Sequence, residues 1–197
     1  MESHDALILQ QASWAYAPLL DITANLHARY AQRHGMAFLA LRGRVLDEST
    51  PLGFDKLALM RRMIASRYRH IFWVDADAAI VGDRDLREAL KWGEVGMARH
   101  PGPPEHFNCG VICIRNTDGA RAFLDEVLSR RPGEPPWFEQ QIMIDLIATG
   151  PWSGIFERLD DRWNSTVNAN EVDEPVIMGW HGAGDVWEKA AWMRMYV

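Results

Sequence analysis

The chain has 197 residues, 48% of them hydrophobic and 24% charged, and carries a formal net charge of -6 at pH 7. That composition suits the packed core of one domain over 1–197 and excludes a disordered or fibrous chain. The acidic balance argues against a nucleic-acid partner, which demands a basic face.

The start Met1-Glu2-Ser3-His4-Asp5 has no basic region followed by a long apolar run, and no later window reaches the apolar length of a membrane span. A cytoplasmic protein without membrane contact is expected. Residues 6–11 form a short apolar run that predicts a strand. Leu19, Ile22, Leu26 and Tyr30 then recur at helical spacing up to Gly35, a suitable C-terminal cap. Residues 37–41 predict a second strand. After a polar loop through Pro51 and Gly53, Leu57, Met60, Met63 and Ile64 fall on one face of a helix over 56–66. His70-Ile71-Phe72-Trp73-Val74 is aromatic and β-branched and stops at Asp75, the pattern of a buried third strand delivering a polar group at its carboxyl end.

Further on, Asp83 is placed to cap a short helix reaching Lys91, and 95–98 and 110–114 are strand-like. Thr117 or Asp118 caps a helix whose Ala120, Phe123, Leu124, Val127 and Leu128 make one stripe, up to the break Arg130-Arg131-Pro132-Gly133. A helix over 137–148, a strand over 175–180 and a last helix from Val186 complete the pattern. Alternating strands and helices imply an α/β fold, a largely parallel sheet flanked by helices, with ligands bound at the carboxyl ends of the strands. Cys109 and Cys113, four residues apart on a strand, would stand roughly 13 Å from each other, too far for a disulfide, and are expected to be buried thiols. Of the tryptophans, Trp14, Trp73, Trp163 and Trp180 are expected in the core, while Trp187 and Trp192 are candidates for covering a partner.

Asp75-Ala76-Asp77 carries the chemistry. In extended backbone, residues i and i+2 project to one side, so both carboxylates converge on one small cation with Ala76 turned away. Hard oxygen ligands select Mg2+ or Mn2+. Two like charges so close repel unless a cation or proton intervenes. The alternative is a solvated turn at Asp77 and a cap at Asp75, a common chance pattern.

The surroundings favour the metal. Phe54-Asp55-Lys56-Leu57 followed by Tyr68-Arg69-His70-Ile71-Phe72-Trp73-Val74-Asp75-Ala76-Asp77-Ala78-Ala79-Ile80-Val81 closely resembles the core of retaining GT-A glycosyltransferases of the galactosyltransferase, glycogenin and xylosyltransferase kind. Phe107-Asn108-Cys109-Gly110-Val111 is similar to the family's Asn-x-Gly-Val strand start, and Phe138-Glu139-Gln140-Gln141 to its acidic-Gln helix start. Arg158-Leu159-Asp160-Asp161-Arg162-Trp163-Asn164 is similar to its Leu-Pro-x-x-Trp-Asn element, and Trp180-His181-Gly182-Ala183-Gly184 to its terminal His-x-x-Gly. The likeness spans about residues 20–188 in the family's order.

The resemblance implies a GT-A fold and metal-dependent transfer of a sugar from a nucleotide-diphosphate donor, a UDP-hexose in the first instance. Transfer would go with retention, to an unidentified glycan, lipid, protein or small molecule. It assigns the metal (Mn2+ or Mg2+) to Asp75, Asp77 and His181, and donor contacts to Asp75, Ala76, Lys56, Asn108, Gly110 and Gly184. Glu139 and Gln140 fall beside the anomeric carbon. Where the family carries a diphosphate-clamping Lys after His-x-x-Gly, this chain has Trp187, with Lys189 the nearest cation. Asn164 is expected to be a structural loop residue, and its Asn-Ser-Thr sequon a coincidence. Competing possibilities are a GT-A-like binding domain that has lost turnover, a haloacid-dehalogenase-type phosphatase and a nucleotidyltransferase. The phosphatase pattern wants Thr or Val where Ala79 stands, and the nucleotidyltransferase wants a Gly-rich basic loop where residues 10–16 offer neither.

Overall fold

Ala6–Ala12 form β1, buried along its whole length, at the hub of the main sheet in a computed structural model that describes residues 4–100, 106–131, 138–182 and 184–197. β1 pairs in parallel with β2 (Ala37–Arg42) on one side and β3 (His70–Val74) on the other. β3 pairs antiparallel with the long β6 (His106–Arg115), β6 antiparallel with β5 (Val95–His100), and β5 parallel with β7 (Phe156–Leu159). The order β2-β1-β3-β6-β5-β7 is therefore mostly parallel, with β6 running against its neighbours.

Side chains alternate across the pleat. Leu7, Leu9, Ile71 and Trp73 enter the layer built with α2 (Gly53–Ile64), α3 (Asp118–Ser129) and α4 (Phe138–Thr149). Ala6, Ile8, Phe72 and Val74 enter the opposite layer with Tyr30 and Ala31 of α1 (Ala17–Arg33). Each fully buried large side chain contributes about 1.5–3 kcal/mol relative to exposure, so a helix-covered sheet follows directly from the two-sided apolar strands.

α1 has Pro18 in its first turn and is followed by Gly35 at φ +61, as its sequence implies. The α3 cap is Thr117, whose Oγ1 accepts from Ala120 N–H at 3.1 Å. α2 opens at Gly53, earlier than expected, which puts Asp55 and Lys56 in its first turns, both buried.

The expected helix from Asp83 to Lys91 is a single 3-10 turn, Leu86–Glu88, capped by Asp85. The backbone has other partners there: Leu86 N–H donates to the Tyr30 hydroxyl (3.0 Å), and the N–H groups of Lys91, Trp92 and Gly93 donate to the Glu157 carboxylate. Asp83 instead pairs with Arg33 and His34. Trp14 is 73% exposed rather than core, whereas Trp73, Trp163 and Trp180 are buried. Trp187 and Trp192 are exposed.

A second, small sheet was not anticipated in full. β4 (Ala78–Ile80), β8 (Ser165–Thr166) and β9 (Ile177–Gly179) pair in the order β4-β9-β8, so the strand expected over 175–180 narrows to three residues. The last helix is α5 (Val186–Tyr196), closed at its start by an Asp185–Glu188 capping box. The sequence features at Met1, Glu2, Ser3, Pro132, Gly133, Trp137 and Ala183 lie outside the described residues. Among the described residues no helix is long and apolar enough to cross a membrane.

Candidate active site and metal centre

β3 ends at Val74, and Asp75 N–H donates to Gly110 C=O at 2.7 Å, the last rung toward β6. Ala78 N–H then donates to Asp75 C=O at 3.0 Å, so the Asp-x-Asp segment is a turn. The carboxylates converge through that turn and not through the extended pleat expected from the sequence.

The third ligand candidate arrives by strand register. Ala78 faces Gly179 across the antiparallel β4–β9 ladder, so the residues just beyond it meet as well: Trp180 N–H donates to Asp77 C=O at 2.9 Å. His181, next in the chain, stands beside Asp77 with Nδ1 3.2 Å from Oδ1. One ligand atom each from Asp75, Asp77 and His181 lies within 4.8 Å of the others. Two carboxylate oxygens and one imidazole nitrogen form a donor set for a hard-to-borderline dication. Ligands about 2.1 Å from an octahedral ion sit about 3 Å apart, near the spacing found between His181 and Asp77. The residues fit the expected Mn2+ or Mg2+.

Cations of the chain already balance these acids. Lys56 Nζ lies 3.2 Å from Asp75 Oδ1 and 3.4 Å from Glu139 Oε1, and donates to Cys109 C=O at 3.1 Å. Burial alone would lower its pKa, but Asp75, Cys109 and Glu139 overcome that and hold it well above the ordinary value. Trp73 Nε1–H donates to Asp75 Oδ1 at 2.6 Å. Burial nevertheless raises the Asp75 carboxyl, with Asp77 adding to the rise and Lys56 opposing it. For Asp77 the balance reverses: burial pushes up, but His181 and Lys189 hold it well below the usual carboxylate range, with Lys189 Nζ at 2.6 Å from Oδ2.

A cleft of about 250 Å³ opens onto this cluster, lined among others by Gln11, Tyr16, Lys56, Asp75, Ala76, Asp77 and Glu139. Glu139, the first acid of α4, rests its carboxylate against Gly53, where an added Cβ would overlap it and force the side chain to move. Gln140 turns toward β6, where its Oε1 accepts from Cys109 N–H at 3.0 Å. Gly110 is likewise dictated by contact, since a Cβ would run into the His181 ring. Asn108 Oδ1 accepts from Gly110 N–H at 2.7 Å. Gly184 does not join the residues lining the cleft. It sits at φ +54 against the Glu188 side chain, where it serves the start of α5.

Two residues given no certain role by the sequence belong to the site. Lys189, on α5, reaches Asp77 although Trp187 occupies the expected cation position. Asn164, expected as a plain loop residue, is fully buried between Asn108 and His181. Its only sequence signal was its place at the end of the Trp-Asn element. The cysteines are free and buried as expected, but Cys109 is no bystander, with Sγ 3.6 Å from Lys56 Nζ and 3.4 Å from Glu139 Oε1. Burial raises its thiol pKa and keeps it protonated.

No protein-family model matches the chain, and no curated protein matches it. Solved structures do. A glycosyltransferase involved in the glycosylation of the major capsid of PBCV-1 aligns with 96% of this chain and 98% of its own, at 18% identity and a TM-score of 0.75. The galactosyltransferase LgtC, solved with donor and acceptor sugar analogs, aligns over 96% of this chain and 93% of its own at 13% identity and a TM-score of 0.61. The glycosyltransferase GlyE of Streptococcus pneumoniae TIGR4 aligns over 97% of this chain but 60% of its own, at 13% identity and a TM-score of 0.64. The fold is that of the GT-A glycosyltransferases.

Proposed function

We propose that this chain is a metal-dependent glycosyltransferase that moves a hexose from a nucleotide-diphosphate donor, UDP-hexose in the first instance, to an acceptor hydroxyl with retention at the anomeric carbon. The observation that carries it is the meeting of Asp75, Asp77 and His181 within 4.8 Å at the carboxyl end of β3, beside a cleft. Ligands of such α/β sheets bind at the carboxyl ends of the strands, which supports this place for a donor's diphosphate.

Asp75, Asp77 and His181 would hold the dication, which when bound supplies a Lewis-acid charge to the departing diphosphate. The chain supplies the rest. Lys189, beside Asp77, offers a second positive charge to the phosphates and stands in for the clamp lysine displaced by Trp187. As the bond between the anomeric carbon and the phosphate oxygen breaks, its electron pair stays with the diphosphate and the sugar ring turns cationic. The Glu139 carboxylate, on the cleft wall and balanced by Lys56, would stabilise that ring. Gln140 stands behind it, locked to β6. The acceptor oxygen then bonds to the anomeric carbon and its proton leaves with the diphosphate. Gln11 and Tyr16, at the end of β1, line the part of the cleft available to the nucleoside.

A panel of nucleotide sugars scored for hydrolysis with and without Mn2+ tests this without knowledge of the acceptor. Turnover should need the metal and disappear in Asp77→Ala. Undiminished turnover in that variant, or release of phosphate from simple phosphoesters instead, would remove the proposal.

A further inference from the structure

A chain of side-chain amides runs from the β6 backbone to the metal-binding imidazole, and its polarity can be assigned from one end. Gly110 N–H is a backbone donor and cannot be reversed, so the Asn108 atom 2.7 Å from it is the carbonyl Oδ1. The same Oδ1 lies 3.1 Å from the Asn164 side chain, which must therefore present its Nδ2 donor. That leaves Asn164 Oδ1, an acceptor only, facing His181 Nε2 at 3.1 Å. His181 must carry a proton on Nε2. In the neutral ring Nδ1 then holds the lone pair, and it points at Asp77 Oδ1, 3.2 Å away. Two acceptors would face each other there, a contact that either a proton on Nδ1 or a dication bound between them relieves.

From this geometry we infer that Asn164 is a positioning residue: it fixes the His181 tautomer and ring orientation so that Nδ1 is the metal-binding atom. Asn164 is fully buried and His181 half-buried, so water has little access to compete for Nε2–H. The ring is held on its faces too. It lies against Gly110 and Gly179, where a Cβ at either position would collide with it. Gly179 is the last residue of β9 and Gly110 lies in β6, so the imidazole is seated between the two sheets with one edge on Asn164 and the other toward Asp77. The inference rests on the metal reading above, in that the lone pair is given a dication to bind.

The experiment separates the two. In the metal-free wild-type chain, nitrogen-15 spectra should show an exchange-protected Nε2–H on His181 at neutral and mildly alkaline pH. Calorimetry with Mn2+ alone should show binding weakened about 10- to 100-fold in Asn164→Ala, the usual effect of losing an imidazole's outer partner. Asn164→Asp keeps the acceptor and loses the donor to Asn108, so it should lower the melting temperature yet bind Mn2+ to within about threefold of wild type. A merely structural Asn164 would instead weaken both variants in step with their loss of stability. An unprotonated Nε2 in wild type, or unchanged Mn2+ affinity in a folded Asn164→Ala, overturns the positioning role. A protected Nε2–H in a wild-type chain that binds no Mn2+ overturns the metal reading and leaves the tautomer assignment standing.

Discussion

The two halves of the cleft are built from different parts of the chain, and the contrast shows in two aspartates only two residues apart. On the Asp75 side the partners come from α2, β3, β6 and α4: the one buried ammonium of Lys56 is shared by Asp75, Glu139 and the Cys109 carbonyl, and Trp73 Nε1–H donates to Asp75. On the Asp77 side the partners come from beyond β9: His181 and Lys189 serve one carboxylate. Asp75 is pushed up and Asp77 is held down. The share of partners each acid has to itself, more than burial, sets the direction, because both carboxylates are largely enclosed: Lys56 is divided between Asp75 and Glu139, whereas Lys189 serves Asp77. Asp77 is thus the firmly ionised carboxylate and Asp75 the one that benefits most from an arriving positive charge.

The contrast breaks most visibly at the two aspartates. Asp77→Asn should lower metal-dependent turnover about 1000-fold and Asp75→Asn about 100-fold, in line with removal of a charge that acts in the transition state; equal losses in steady-state hydrolysis would erase the distinction. Next comes Lys56→Met. Removing one partner of a buried ionic cluster costs about 3–5 kcal/mol, and here Asp75 and Glu139 would both lose their counter-ion. Urea unfolding should show that loss, and Asp75→Asn in the same background should recover part of it.

A smaller effect belongs to the support of the Asp77 side. His27 Nε2 accepts from Ile80 N–H of β4 at 2.9 Å, and complete burial pushes its pKa down to about 3. The folded chain keeps this ring neutral, whereas the unfolded chain protonates it near 6.5. Stability is therefore intact above that pH and falls as pH drops from about 6.5 toward about 3, by about 1.4 kcal/mol per unit. His27→Gln, which retains an acceptor for Ile80, should flatten that part of the curve measured by denaturation at pH 7 and pH 5. A slope unchanged by the substitution would exclude His27 as its source. Smallest is Lys189→Met: binding of a nucleoside diphosphate with Mn2+ should weaken about tenfold, while Mn2+ alone binds at least as well because a competing cation has gone.

The Asp75 side was largely legible in advance. His70 to Val74 read as a buried strand because aromatic and β-branched residues have few other uses in a run that ends on an acid, and α2, β6 and α4 followed from periodicity and caps. The family likeness supplied His181. The short elements were not legible: β4, β7 and β8 are four residues or fewer, too brief for a period to show. Asp83 looked like a helix cap until Arg33 and His34 claimed it. Asn164 and Lys189 showed their partners only once the chain was folded.

What the sequence determined by itself was the two-faced apolar strands, the helices over them and an acidic pair at a strand end, since each is written in residues that are near neighbours along the chain. What tertiary structure alone decided was the company those acids keep. A three-residue ladder between β4 and β9 brings His181 across more than a hundred positions to Asp77, and the docking of α5 brings Lys189 with it. Such pairings depend on register between distant segments, which local periodicity does not encode.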